Sequence, residues 1–182
     1  MIGNRRPVDP HAIRLTMNRQ CESGTTPAEK NMVDNPNRQR VLKFLDAYYS
    51  GDTKTATECC DEELDSITYA PVELFPHLGH KHGRAWVAEA IKTQQKRYAS
   101  RKYEIKWIAV DGDNVATLQF ISLTKRNDDR VVHLEAAEFY SLRAGRILMH
   151  RSFFDSFDFV QQLLGKDLTD SFATDVRKAM KR

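Results

Sequence analysis

The stretch VVHLEAAEFYSLRAGRILMHRSFFD, residues 131–155, decides the fold. On both sides of Ala144 and Gly145, β-branched and aromatic residues alternate with polar ones, which is typical of a long antiparallel β-hairpin. On a flat, half-solvated sheet, Glu138 and His150 would be ordinary solvent-facing residues. On a curved sheet folded over a helix, the same two side chains would point inward. Their orientation therefore decides whether the protein has a reactive pocket.

The length of the hairpin loop determines which residues face each other. A two-residue loop places Glu138 opposite Arg151. A three-residue loop, with Gly145 in the left-handed conformation of a bulge, places Glu138 opposite His150. The favoured two-residue turns need a positive φ at both central positions, which suits Ala144 poorly. We therefore predict the three-residue loop.

With this loop, one face of the hairpin forms an apolar wall that carries one carboxylate and one imidazole. Its members are Leu134, Ala136, Glu138, His150, Ser152 and Phe154. Glu is rarely fully buried unless it is paired, so a surface pair of Glu138 and His150 is an equal alternative at this stage.

Composition limits the function classes. The length of 182 residues predicts one domain with terminal extensions, and the net charge of +3 lies in the terminal segments while the middle of the chain is neutral. A neutral core lacks the basic stripe of a nucleic-acid-binding surface. No apolar run approaches the length of a membrane span, and no apolar stretch follows the first arginines as in a secretory signal. We expect a cytoplasmic protein with no nucleic-acid or membrane partner.

Three segments follow from the periodicity. Residues 1–35 are polar and interrupted by proline, and we predict an extension that is either flexible or docked on a partner, with a short helix near residues 12–20 as a further alternative. Residues 36–164 form the domain. Residues 165–182 form a basic tail with a short helix.

Within the domain the pattern predicts helix, helix, strand, helix and then four strands. Asn35 and Asp52 are predicted to cap the first two helices, and Gly51 to end the first. The remaining predicted elements are a strand at 64–70, a loop at 71–83, a helix at 84–98, strands at 102–110 and 115–124, the hairpin and a closing helix at 157–164. Strands joined by short turns pair antiparallel and need helices over one face, so a curled sheet leaves a cone with an apolar interior.

The cysteines and the loop histidines have ordinary interpretations. Cys59 and Cys60 fit neither a disulfide framework nor zinc spacing, and we interpret them as small buried hydrophobic residues. His77, His80 and His82 lie in one loop and offer imidazole ligands, but further ligands would have to come from elsewhere in the chain. We predict no metal, and we predict that His77 lines the mouth of a pocket.

Several segments carry a family resemblance. They are RVLKFLDAYYSGD at 40–52, ITYAP at 67–71, GRAWVAEAI at 83–91, LRAGRI at 142–147 and RSFFD at 151–155. With the order of elements, they resemble the nuclear transport factor 2-like superfamily, and within it the SnoaL-like proteins, which include polyketide cyclases, ketosteroid isomerase and limonene-epoxide hydrolase. The resemblance implies an α+β fold, a cone-shaped barrel in which a curved, mixed, mostly antiparallel sheet wraps over about three N-terminal helices around a pocket.

The acids of these relatives are missing here. Ala70 lies where the isomerases have an aspartate base, and Ser152 lies where the epoxide hydrolases have an aspartate. The partner strand of the hydrolases resembles Gln119-Phe120-Ile121, without charge. Asp155 matches a closing aspartate of the family, and we expect it to cap the last helix.

The residues of the predicted pocket wall are still candidates for the site. We predict Glu138 and His150 as an acid/base pair able to move a proton near neutral pH, with Tyr69 donating a hydrogen bond to a developing oxyanion. Trp86 and His77 are predicted to join the pocket wall.

Three functions stay open. The protein is a proton-transfer enzyme of the isomerase, cyclase or hydrolase type, a non-catalytic pocket for an apolar small molecule, or an interaction module. No cofactor is expected. Relatives dimerise through the outer face of the sheet, where Phe153, Met149 and Ile147 are predicted to form an apolar stripe, so a homodimer is expected.

Overall fold

The computed structural model describes residues 35–181. The predicted N-terminal extension and its alternative helix near residues 12–20 lie outside the described residues. No helix in residues 35–181 is long and apolar enough to cross a membrane.

The described chain contains five helices and six strands. In chain order they are α1 (Pro36–Ser50), α2 (Thr53–Glu58), β1 (Cys60–Tyr69), β2 (Gly79–His82), α3 (Ala85–Arg97), β3 (Tyr98–Asp111), β4 (Asn114–Lys125), β5 (Val131–Arg143), β6 (Arg146–Phe154), α4 (Ser156–Leu164) and α5 (Thr169–Ala179). Strand β2 was not predicted, because its four residues lie inside a histidine- and proline-rich loop with no alternation. It exists through its antiparallel pairing with β1.

The strands form one sheet in the order β2-β1-β6-β5-β4-β3. Strands β1 and β6 pair parallel, and every other neighbouring pair is antiparallel. The sheet is curved and unclosed, and the helices cover its concave face. The predicted fold class is confirmed: the chain is an α+β cone in which a mixed, mostly antiparallel sheet wraps over helices.

Local signals set the helix ends as predicted. The side chain of Asn35 accepts hydrogen bonds from the backbone N–H groups of the first turn of α1, and Asp52 and Asp155 do the same for α2 and α4. Gly51 ends α1 with a φ of 92°, a left-handed conformation that glycine adopts without steric penalty. These ends fix the helices against the sheet.

The core lies between the helices and the concave face of the sheet. On α1, Val41, Phe44 and Leu45 are buried. Cys59 and Cys60 are fully buried free thiols, and burial raises the pKa of Cys60 to about 12. Their interpretation as small buried hydrophobic residues is confirmed by this burial among the residues of the core.

The hairpin turn differs from the prediction. Arg143 pairs with Arg146, so the loop has two residues, and Ala144 and Gly145 adopt φ values of 49° and 71°. The additional residue lies in β6 instead, where Leu148 forms a bulge between the pairs Ser141–Met149 and Leu142–Ile147. The predicted three-residue loop is therefore wrong.

The bulge changes the pairing but keeps the predicted inward face. Glu138 pairs with Ser152 and not with His150, and His150 pairs with Tyr140. Ile147 turns into the core, with 1% of its surface exposed, so its predicted place in an outer apolar stripe is wrong. A bulge shifts the alternation by one residue, and Ile147 lies on the other side of it.

Candidate functional site

A cavity of about 110 Å³ lies between the helices and the concave face of the sheet. Its wall is mostly apolar and is built by α1, α3 and α4, by the segment between β1 and α3, and by the inward residues of the sheet. Among the side chains predicted for the pocket, those that line this cavity are Leu134, Ala136, Glu138, His150, Ser152, Phe154, Trp86 and His77.

Tyr69 is not in this cavity. It lies at the end of β1 on the outer face of the sheet, where its ring stacks on Phe153 at a centroid distance of 4.3 Å and 49% of its surface is exposed. Alternation along β1 turns Ser66 and Thr68 inward and Tyr69 outward. The predicted hydrogen bond from Tyr69 to an oxyanion in the pocket is therefore wrong.

The carboxylate of Glu138 is buried and surrounded by donors. Gln119 Nε2 donates to Oε2 at 2.7 Å, Tyr140 donates its hydroxyl to the same oxygen, and Ser152 Oγ donates to Oε1 at 3.3 Å. These donors come from three neighbouring strands. The side chain thus has the hydrogen bonds that a buried charge requires.

These contacts set the charge state of Glu138. Burial raises the pKa of the carboxyl, but the contact with His150 and the hydrogen bonds from Tyr140 and Gln119 lower it more, and the net pKa is below its usual 4.5. Glu138 is therefore ionised at neutral pH. Burial of the Tyr140 hydroxyl and, after it, the charge of Glu138 raise the pKa of Tyr140, which remains a protonated donor.

His150 lies beside this carboxylate, and within residues 35–181 only one of its two ring nitrogens has a hydrogen-bond partner. Nδ1 is 3.0 Å from Ser66 Oγ, its neighbour across the parallel β1–β6 pair, and the ring stacks on Tyr140 at 5.0 Å. Nε2 is 3.6 Å from Glu138 Oε2, which is beyond hydrogen-bond distance, and it is buried without a hydrogen-bond partner in residues 35–181. A buried imidazole with a free nitrogen beside a carboxylate is suited to accept and return a proton.

The opposite wall of the cavity is formed by α3. Trp86, Ala90 and Gln94 follow each other at four-residue intervals and line the cavity along one side of this helix. Gln94 Nε2 donates to the hydroxyl of Tyr48 at 3.0 Å. In the described part of the chain, Trp86 Nε1 and Gln94 Oε1 are buried and have no hydrogen-bond partner.

His77 lies at the rim, in the segment that connects β1 to β2. Its ring is within 3.4 Å of Arg97 Nη1, and Phe75 from the same segment packs on Phe159 in the cavity wall. Partial burial and the positive charges of Arg97 and Lys81 lower the pKa of His77 to about 4. The side chain is therefore neutral at physiological pH.

Two of the loop histidines lie next to surface carboxylates. His80 pairs with Asp65 and His82 Nε2 lies 3.4 Å from Glu63, both on the surface. Within residues 35–181, no group of three His, Cys, Asp or Glu side chains is arranged to hold a metal ion.

Sequence reasoning missed three residues of the site: Ser66, Gln119 and Tyr140. The alternation of β5 places Tyr140 two positions from Glu138 on the same face, so its contact was available from the pattern. Gln119 is a polar residue on the buried face of β4, and a buried polar side chain usually has a hydrogen-bond partner inside the protein. Ser66 gave no comparable signal, because it reaches His150 only through the parallel pairing of β1 with β6.

Solved structures with this fold come from several bacteria. A candidate isomerase from Rhodopseudomonas palustris has a TM-score of 0.66 and 24% identity, over 74% of this chain and 100% of that chain. An epoxide hydrolase of the limonene-epoxide hydrolase type from M. tuberculosis has a TM-score of 0.60 and 20% identity, over 76% and 96% of the two chains. A protein described as a candidate SnoaL-like polyketide cyclase, from Jannaschia sp. CCS1, has a TM-score of 0.61 and 13% identity, over 78% and 96%.

At these identities the similarity shows the fold alone. No curated protein matches the sequence. The profile of the SnoaL-like domain matches residues 41–150, more than half of the chain, which includes most of the first helix, most of the sheet and both members of the Glu138–His150 pair. Together with the cone-shaped fold, this match assigns the chain to the SnoaL-like domain family.

Proposed function

We propose that this protein is a proton-transfer enzyme of the isomerase, cyclase or hydrolase type, acting on a small, mostly apolar and enolisable molecule in the cavity. The observation that carries the proposal is the free, buried Nε2 of His150, 3.6 Å from the ionised carboxylate of Glu138. Isomerase, polyketide cyclase and epoxide hydrolase are also the activities named for the similar structures.

In this proposal His150 moves the proton and Glu138 stabilises the charge that results. This role requires the tautomer in which Nδ1 donates to Ser66 Oγ, 3.0 Å away, so that Nε2 accepts a proton from the substrate carbon. The imidazolium that forms is stabilised by the adjacent carboxylate, and it then returns the proton to another position of the substrate. Glu138 itself is a weak base, because its pKa is lowered.

Apolar walls support this chemistry. A site that excludes water strengthens the attraction between imidazolium and carboxylate, since the local dielectric constant is low. The volume of about 110 Å³ limits the ligand. Since an apolar cavity of about 150 Å³ accepts benzene, a molecule with a single ring is the upper limit of what this smaller cavity encloses.

Exchange of α-hydrogens for deuterium tests the proposal. Small cyclic ketones are incubated with the protein in D₂O, and exchange is followed by proton NMR. We expect the wild type to catalyse exchange and His150→Gln to reduce the rate by about 10²- to 10⁴-fold, the usual contribution of a general base. Glu138→Gln is expected to reduce it less, because the base remains.

His133→Gln is the matched control. His133 lies on β5, exposed on the outer face of the sheet, and hydrogen-bonds Ser122. Its replacement removes an imidazole without touching the cavity, so exchange should proceed as in the wild type. Equal rates for the wild type and His150→Gln would refute the proposed role of His150.

One observation favours a second function, non-catalytic binding. The Glu138 carboxylate is held by three side-chain donors and has a lowered pKa, as expected of a charge that shapes a pocket without reacting. Under this alternative, cyclic ketones raise the melting temperature of the wild type and of His150→Gln alike, and neither protein catalyses exchange.

We also propose that the protein is a homodimer that buries the outer face of its sheet. Tyr69, Phe139 and Phe153 form an exposed aromatic cluster on this face, with Phe139 and Phe153 at a centroid distance of 6.0 Å. Contiguous exposed aromatic side chains are uncommon on monomeric proteins and are enriched at interfaces.

A further inference from the structure

Buried polar atoms without a partner are concentrated at the cavity. In residues 35–181 the side-chain atoms of this kind are Trp86 Nε1, Gln94 Oε1, Gln119 Oε1 and His150 Nε2. All except Gln119 belong to residues that line the cavity. A buried polar group that lacks a hydrogen bond destabilises the fold by about 1–3 kcal/mol, so native proteins have few of them.

The chemistry of the two unpartnered atoms on α3 indicates which ligand groups could form hydrogen bonds with them. The indole nitrogen of Trp86 only donates, so its partner must be an acceptor. Gln94 Nε2 is engaged by the hydroxyl of Tyr48, which leaves the carbonyl oxygen of Gln94 as an acceptor in need of a donor. One helix therefore presents a donor and an acceptor, separated by two helical turns, to the same cavity.

Water fits these atoms less well than a ligand does. A buried water makes about three hydrogen bonds. Along α3 and α1 the cavity is lined by the apolar side chains of Ala90, Phe44 and Leu45 and by two tyrosines, Tyr48 and Tyr49, and the hydroxyl of Tyr48 is already bound by Gln94 Nε2. A molecule with an apolar body and polar substituents could form hydrogen bonds with these atoms and pack against the apolar side chains of the wall.

We propose that Trp86 and Gln94 form a recognition subsite for a six-membered ring that carries both a carbonyl oxygen and a hydroxyl group. The carbonyl accepts from Trp86 Nε1 and the hydroxyl donates to Gln94 Oε1. This inference rests on the proposed function only in that it uses the same cavity, and it makes the substrate an oxygenated ring, not a hydrocarbon.

The test compares three probes of similar size: 4-hydroxycyclohexanone, cyclohexanone and methylcyclohexane. Calorimetric titration of the wild type should show the tightest binding for the hydroxyketone and the weakest for the hydrocarbon. Trp86→Phe keeps an aromatic ring but removes the N–H, so it should weaken both ketones about tenfold and leave methylcyclohexane unchanged. Gln94→Met should remove the advantage of the hydroxyketone over cyclohexanone.

Two other variants serve as controls. Gln95→Met changes the exposed neighbour of Gln94 on the same helix, and Trp107→Phe changes the other tryptophan of the chain, which is exposed on β3. Neither should change the order of the three probes. In the Trp107→Phe protein Trp86 is the single tryptophan, so its fluorescence should respond to cyclohexanone and not to methylcyclohexane.

The outcomes separate this inference from the proposed function. Equal affinity of the wild type for all three probes, no binding of any probe, or an unchanged probe order in both Trp86→Phe and Gln94→Met would overturn the subsite. Deuterium exchange that depends on His150 would survive such a result. Conversely, the predicted probe order without any exchange would support the subsite and refute the enzyme.

Discussion

A carboxylate that is buried inside a protein needs donors around it, and Glu138 has them on three strands. The sequence placed Glu138 and His150 on the same inward face through a three-residue loop, whereas the structure does so through a two-residue loop and a bulge in β6. Their actual contact is not local. It depends on the bulge at Leu148 and on the parallel pairing that brings Ser66 to His150.

Replacing Glu138 with glutamine should destabilise the protein in a pH-dependent way. The folded pKa of Glu138 is below 4.5, so the ionised side chain contributes stability above that pH, which is lost as the pH falls through the folded pKa. Hydrogen bonds to a charged group contribute about 2 kcal/mol, and we expect a loss of that order near neutral pH. Urea unfolding of both proteins should show this difference shrinking at acidic pH.

Glu135→Gln is the control, since Glu135 is exposed on the same strand and faces outward. It should be as stable as the wild type at each pH. A Glu138→Gln protein with wild-type stability near neutral pH would mean that the donors around the carboxylate do not stabilise its charge.

His77 should affect stability over a different pH range. Its pKa falls from 6.5 in the unfolded chain to about 4 in the fold, so the unfolded chain binds the proton first. The wild type should therefore lose stability as the pH decreases from 6.5 to about 4, and His77→Asn should flatten this part of the curve. Melting temperatures measured across that pH range test this prediction, and His133→Asn, at an exposed position, is the control. Parallel curves for the wild type and His77→Asn would contradict a role of His77 in the loss of stability.

At the level of secondary structure, elements with local signals followed from the sequence. Asn35 and Asp52 cap their helices through hydrogen bonds within one turn of the chain, and such signals need no tertiary information. Strand β2 has no local signal and exists only through its pairing with β1. The hairpin loop differs from the local expectation because pairing along the long hairpin outweighs the cost of a positive φ at Ala144.

The strained conformation of Ala144 predicts a stabilising substitution. A left-handed φ of 49° costs an alanine about 1 kcal/mol, and Asn followed by Gly is the preferred sequence of this turn. Ala144→Asn should therefore raise the free energy of unfolding by up to about 1 kcal/mol, as measured by chemical denaturation.

Gly145→Ala, at the adjacent position, should have the opposite effect on stability. A Cβ at Gly145 would meet no atom within 4 Å, so only its φ of 71° opposes the substitution. This variant should be less stable by about 1 kcal/mol. If Ala144→Asn destabilised the protein, the two-residue turn would not be the form present in solution.

At the level of the whole molecule, the curved sheet has a cavity on one side and an aromatic surface on the other. The fold class, the order of the main elements and the family followed from the sequence. The position of Tyr69 did not, because the end of β1 could be placed only after its pairing was known.

The aromatic surface gives a prediction for the assembly. Phe153→Lys places a charge in the centre of the cluster with Tyr69 and Phe139, and desolvating that charge in an interface is unfavourable. Light scattering at micromolar concentration should show a dimer for the wild type and a monomer for the variant. Phe172→Lys, which changes another exposed ring, on α5, should remain dimeric. A monomeric wild type would refute the proposed dimer.

Leu148 has a consequence for comparing this chain with its relatives. Ile147 and His150 both point to the concave side although their positions differ by an odd number, which an uninterrupted strand does not allow. In a relative without the extra residue, the residue before the counterpart of Met149 would face the concave side, as Ile147 does here. Placing one alignment gap at Leu148 or inside the preceding turn thus decides whether Ile147 is compared with that residue or with a side chain on the other face of the sheet.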